Sequence, residues 1–230
     1  MQNYNYNGGS AVASLTSAVM KRVYLKMTLG LLLTAFTALY CASTSFIHFY
    51  LTHSWLMWVL VIAEFGILFG LSGAIRKMGN AAGSALFYIF SVINGMMFST
   101  LFLMYSPAAM VKTFFITAGT FGAMSVYGYF TDRDLSRIGS ILVMALFGLI
   151  IAMVVNIFLK SSGLDWVISI VGVIIFVGLT AWDTQQVKTM AQYASPEQAG
   201  SLAIMGALNL YLDFLNLFLF LLRIFGGSRD

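Results

Sequence analysis

The chain has 230 residues, of which 60% are hydrophobic and only 9% charged, with a mean hydropathy of +0.90. A water-soluble domain is about half apolar and about a quarter charged, so a soluble globular protein is excluded. The net charge of +4 comes from basic residues scattered between apolar segments, which argues against nucleic acid as a partner and for a role in orienting membrane segments.

Residues 1–26 read as a polar cytoplasmic N-terminal segment, almost uncharged until Lys21, Arg22 and Lys26. The apolar run behind them is too long for a signal-peptide core and predicts a retained first helix. A helix needs about 20 apolar residues to cross lipid, whereas a barrel strand would show alternation over about ten. Unbroken runs predict seven spans, at 27–49, 55–75, 84–105, 108–130, 138–159, 164–183 and 204–225. The expected organisation is an all-α membrane protein with one seven-helix domain over 27–226 and a short tail at 227–230. Both prolines, Pro107 and Pro196, fall in connections, where helix geometry tolerates them. Gly66 and Gly70 form a GxxxG that predicts close helix packing.

With the N-terminus inside, eight of the twelve Lys and Arg fall on the cytoplasmic side: Lys21, Lys26, Lys77, Lys188, Arg22, Arg76, Arg133 and Arg137. Lys112, Lys160, Arg223 and Arg229 fall outside, and the imbalance favours N-in and C-out. Trp55, Trp58, Trp166 and Trp182 all sit at predicted span ends, the headgroup level that indole rings favour. Cys41 is the only cysteine, so no intrachain disulfide can form. His48 and His53 are isolated at one interface and read as ordinary surface residues.

Acids inside spans cost about 2.5–3.5 kcal/mol each on insertion scales, and they usually face a bundle interior or a watery cavity. Glu64, Asp183 and Asp213 are the candidates. Asp213 lies about 15 Å into the last span, near mid-membrane. Asn209, Asp213 and Asn216 follow i, i+4, i+7 and share one face, which marks either an ion pathway or a hydrogen-bonded knot between helices. Asp183 closes the sixth span and is expected near the cytoplasmic interface, level with Arg76. Glu64 could serve a cavity or bond a neighbouring helix. Nucleophile-elbow, zinc-protease and phosphate-loop patterns are missing from the sequence, so no enzymatic activity is expected.

Three segments carry a resemblance. Phe69-Gly70-Leu71-Ser72 through Arg76-Lys77-Met78, Leu179-Thr180-Ala181-Trp182-Asp183-Thr184-Gln185, and Ala207 to Phe218 with its Asn209, Asp213 and Asn216 resemble the bacterial branch of the transmembrane Bax inhibitor motif (Bax inhibitor-1) family. The resemblance implies a bundle whose last helix is surrounded by the other six, and a pH-sensitive calcium leak in a bacterial inner membrane. It implies that Asp183 and Asp213 form a paired proton sensor in the pore and the transient calcium ligands, without a resident cofactor. Arg76 would be a latch on the sixth-helix aspartate, with Glu64, Asn209 and Asn216 as supporting polar groups. The alternative it leaves open is a regulatory protein acting on a membrane protease or stress response through a membrane-protein partner. Oligomeric state is not readable, because apolar faces towards lipid and towards a partner look alike.

The chemistry fits on its own terms. Two carboxyl groups held close titrate as a unit, and a change in their protons or partners can bias a packed two-state element. A leak requires weak calcium binding, and a tight site would need six to eight oxygens.

Overall fold

A computed structural model describes residues 5–227, with the side chains of residues 5–8, 72, 76 and 78 outside the described set. Every element among the described residues is helical: α1 (Asn5–Ser43), α2 (Phe46–Thr52), α3 (Ser54–Phe98), α4 (Leu101–Met104), α5 (Pro107–Phe130), α6 (Ser136–Leu159), α7 (Ser162–Tyr193) and α8 (Ala199–Phe225). Seven stretches are long and apolar enough to cross a membrane: Gly9–Ser43, Ser54–Leu71, Gly79–Met104, Pro107–Phe130, Ser136–Leu159, Ser162–Tyr193 and Ala199–Phe225. The expected number and order of spans hold.

Three boundaries differ from expectation, each for a local reason. The segment before residue 27 is not separate from the first span, because α1 is continuous from Asn5 and buries Val19 and Val23 completely. Between the second and third spans the chain breaks at Gly79 alone, where φ is +84° and ψ is −178°. An L side chain rarely adopts that conformation, so a glycine allows the reversal in a single residue. The sixth helix does not stop at Asp183 but runs on to Tyr193, leaving only residues 194–198 before α8. No helix breaker stands between Thr184 and Pro196.

The described chain forms two compact units. The first contains Met1–Met104 and Thr189–Tyr211, and the second contains Tyr105–Lys188 and Leu212–Asp230. In the first, α1 packs along α3: a Cβ at Gly30 would run into Phe87 and Ser91, and one at Gly95 would run into Thr37. Gly66 and Gly70 meet nothing among the described residues, so the close approach expected of that GxxxG is made by Gly30 and Gly95 instead.

In the second unit the same device recurs at Gly128, Gly139 and Gly172, which admit the Ala181 backbone, the Trp182 indole and the Phe220 ring. Burial then sorts the spans by their solvent. The most apolar window, on α6, is 6% buried, whereas the α8 window is 72% buried. Ile141, Met144, Phe147, Ile151 and Val154 on α6 are exposed and form a lipid-facing surface. The α8 window is the most buried of the seven.

Candidate functional site: a buried carboxyl pair

The second unit builds the site. A Cβ at Gly128 would collide with the main-chain carbonyl of Ala181, so only glycine lets α5 lie this close to α7. Gly139 of α6 accepts the face of Trp182 in the same way. Together they press on the α7 turn that carries Asp183. On the far side, Gly172 of α7 lies under the Phe220 ring, and Phe176 stacks on Phe220 at 5.8 Å, which holds α7 against α8. Across this contact the side chains of Asp183 and Asp213 are hydrogen-bonded to each other.

Carboxylates carry no donor unless protonated, so a hydrogen bond between the two carboxyls requires one shared proton. Asp213 is 4% exposed, and its buried Oδ2 has no N–H or hydroxyl donor. Asp183 is only partly buried. The members are thus unequal: one sealed, the other partly accessible. Among the described residues no group of three or more His, Cys, Asp or Glu forms, so this pair has no third such ligand.

Polar bonds brace the α7 segment that follows. The Thr184 hydroxyl donates to Ser125 Oγ at 3.4 Å. Gln185 Nε2 donates to the Arg133 carbonyl at 2.8 Å, and its Oε1 accepts from the Leu135 N–H at 2.8 Å. Lys188 Nζ donates to the Tyr129 carbonyl at 2.7 Å and lies over that residue's ring at 5.1 Å. These bonds tie residues 184–188 to the end of α5 and the loop after it, and they explain why α7 does not fray at the interface. Asp183 is therefore inside the folded unit rather than at a helix end. Beside it, the Trp182 indole is packed on Gly139, and its buried Nε1 has no hydrogen-bond partner.

The remaining expected residues divide. Asn216 donates from Nδ2 to its own helix at the Leu212 carbonyl, 2.8 Å away. Asn209 belongs to the first unit, where it is exposed and lines a cavity of about 1020 Å³ with Asn80, Thr189, Glu197 and Met205. The Asn209–Asp213–Asn216 stripe thus shares a helix face without acting as one cluster. Glu64, also in the first unit, is half-buried and hydrogen-bonded to Asn94, whose Nδ2 donates to the Phe90 carbonyl at 3.0 Å. The proposed latch, Arg76, lies on α3, and its side chain is outside the described residues, as is Arg229 altogether.

Sequence reasoning missed Tyr211, which is fully buried in the first unit. Its hydroxyl lies 2.7 Å from Thr34 Oγ1. Thr34 has one proton and two carbonyl acceptors, Gly30 at 3.0 Å and Ser91 at 2.9 Å, so Tyr211 is the donor to Thr34. Phe87 and Phe90 meet the ring edge-on. The signal was present as a Tyr two residues before the buried acid, within an otherwise apolar run.

Comparison with known proteins agrees with this architecture. The family model described as "Inhibitor of apoptosis-promoting Bax1" matches residues 16–230. The inner membrane protein YbhL of Escherichia coli K12 is 46% identical over 214 residues, covering 91% of this chain and 92% of that protein. An uncharacterized protein of Borreliella burgdorferi is 41% identical over 214 residues, covering 92% of each. The protein RP147 of Rickettsia prowazekii is 42% identical over 212 residues, covering 92% of this chain and 90% of that protein.

Proposed function

Because the chain belongs to the Bax1-inhibitor family of membrane proteins, we propose that it is a pH-sensitive calcium leak of a bacterial inner membrane, with Asp183 and Asp213 as its paired proton sensor. The inner-membrane location is supported by the printed name of the Escherichia coli relative. One observation carries the activity: two carboxyl groups hydrogen-bonded to each other inside a membrane-spanning unit, one sealed and one partly accessible. Such a pair is costly in a span and is usually found where ions or protons pass.

The pair also suits a leak rather than a store. Two carboxylates offer up to about four oxygens, short of the six to eight of a tight Ca²⁺ cage, so binding is transient. Protons and Ca²⁺ use the same oxygens, which couples flux to pH. In this reading Arg76 is a latch on Asp183 in the closed form, and Glu64 with Asn209 and Asn216 are supporting polar groups.

The test is Ca²⁺ flux into proteoliposomes of the pure protein across a pH series. Asp213→Asn leaves the shape of the residue unchanged but removes an ionisable group. Flux is expected to fall by about tenfold or more, and the pH profile to flatten. An unaltered rate and profile would reject the reading. A stoichiometric partner from native membrane, with no flux from the pure protein, would favour regulation of a membrane protease or stress pathway instead.

A further inference from the structure

Six threonines of the described chain are buried: Thr16, Thr34, Thr113, Thr117, Thr180 and Thr184. Five have a hydrogen-bond acceptor. Thr16, Thr34, Thr117 and Thr180 donate to the carbonyl four residues back, the usual resort of a hydroxyl in an apolar helix, and Thr184 donates to Ser125. Thr113 is the exception. It is 0% exposed and its Oγ1 has no partner, although it sits on a regular turn of α5 where the same back-bond is open to it. A buried hydroxyl without a partner is costly, and in folded proteins such a group calls for an ordered water or ion as its partner.

Its position follows from contacts within the second unit. Phe114 and Phe121 of α5 both pack on Phe214 of α8, at 5.6 and 5.5 Å. Towards the other end, Gly226 is so close to Tyr105 that a Cβ there would meet the ring. This antiparallel register sets Thr117 level with Asp213 and Phe214, and Thr113 one turn further, about 6 Å along α5. Thr113 and Thr117 are four residues apart and share one helix face. The direction is towards the end of the unit where Arg223 and Asp165 pair at 3.7 Å. The buried carboxyl of Asp213, whose Oδ2 has no N–H or hydroxyl donor, and the partnerless Thr113 Oγ1 therefore belong to adjacent levels of one unit.

We infer that the Thr113 hydroxyl is a second oxygen station on the ion path, receiving water or a partly hydrated divalent cation between the carboxyl pair and the Asp165–Arg223 end. The inference rests on the leak reading for its flux consequence, but not for its hydration consequence. A hydroxyl station passes a hydrated cation on without trapping it, because a neutral oxygen binds more weakly than a carboxylate. Thr117, with its proton committed to the Thr113 carbonyl at 2.8 Å, can only accept and so presents an oxygen lone pair at the Asp213 level.

The experiment uses the full chain with Thr113→Val, which keeps the shape and removes the oxygen, and Thr113→Ser, which keeps the hydroxyl. Two quantities are read: Ca²⁺ flux into proteoliposomes, and the midpoint of thermal unfolding in detergent. The expected result is a flux about tenfold lower for valine, recovered by serine, with no rise in the valine midpoint. A valine variant that melts several degrees higher would mean that the hydroxyl is simply desolvated, and would overturn the station. So would a valine variant with unchanged flux while Asp213→Asn loses it. If the parent protein conducts no Ca²⁺, the leak reading falls and takes the ion role of Thr113 with it, and the unfolding midpoint then tests hydration alone: a fall for valine supports a hydrated hydroxyl, and an unchanged or higher midpoint overturns it.

Discussion

The two units hold two buried polar clusters of opposite character. In the first, Tyr211 donates to Thr34, Thr34 donates onward to a carbonyl, and Ser91 donates to the Phe87 carbonyl, so the donors are used up. In the second, Asp183 and Asp213 bond each other, no N–H or hydroxyl reaches Asp213 Oδ2, and Thr113 Oγ1 has no partner. A fully satisfied network rigidifies, whereas an incompletely satisfied one is costly and has to be held in place by its surroundings. The first cluster therefore reads as architecture and the second as machinery. The contrast also shows that a buried polar residue is informative chiefly through what it fails to bond.

The largest test of that contrast is Gly128→Ala. A Cβ there meets the Ala181 main-chain carbonyl rather than a yielding side chain, so α5 must move away from the turn bearing Asp183. Overpacking of this kind costs about 1–3 kcal/mol, and the thermal midpoint should fall while the flux–pH profile shifts. A destabilised variant with an unchanged profile would show that the carboxyl pair tolerates displacement. Next comes Tyr211→Phe, which deletes one hydrogen bond from the satisfied knot. Stability should drop by about 1 kcal/mol with flux per folded molecule unchanged. A changed pH profile in that variant would erase the distinction between the clusters.

The smallest effect belongs to a control outside both. Asp134 Oδ1 accepts from the Ser136 N–H at 2.9 Å, and that bond holds its carboxyl below the usual range. A carboxylate favoured in the folded state stabilises above its unfolded pKa of about 3.9 and loses that contribution as pH falls through its folded value. Asp134→Ala should thus melt slightly lower at neutral pH, with the difference from the parent vanishing in strong acid. Persistence of the gap there would assign it to helix propensity instead.

Much of this was legible in the sequence, and the failures were specific. The seven spans follow from hydropathy because lipid leaves only helices or closed barrels available. Asp213 stood out because it interrupts a long apolar run at mid-depth. Asp183 stood out less, because hydropathy ended its helix at this acid, whereas side chains of Gln185 and Lys188 bonding main-chain carbonyls let α7 continue to Tyr193. Thr113 had no sequence signal at all: a threonine in a helix normally bonds its own backbone, and only the neighbours' geometry reveals one that does not.

The environment of Trp182 has an optical consequence. Trp55, Trp58 and Trp166 are 55–65% exposed on surfaces that face lipid or headgroups, while Trp182 is sheltered against Gly139 beside Asp183. Quenchers dissolved in the bilayer would silence the first three and spare the fourth. Residual emission would then come from an indole one residue away from the carboxyl pair, with an unbonded N–H whose solvation sets its colour. Its emission across a pH series would thereby test, without any label, whether the surroundings of that pair change.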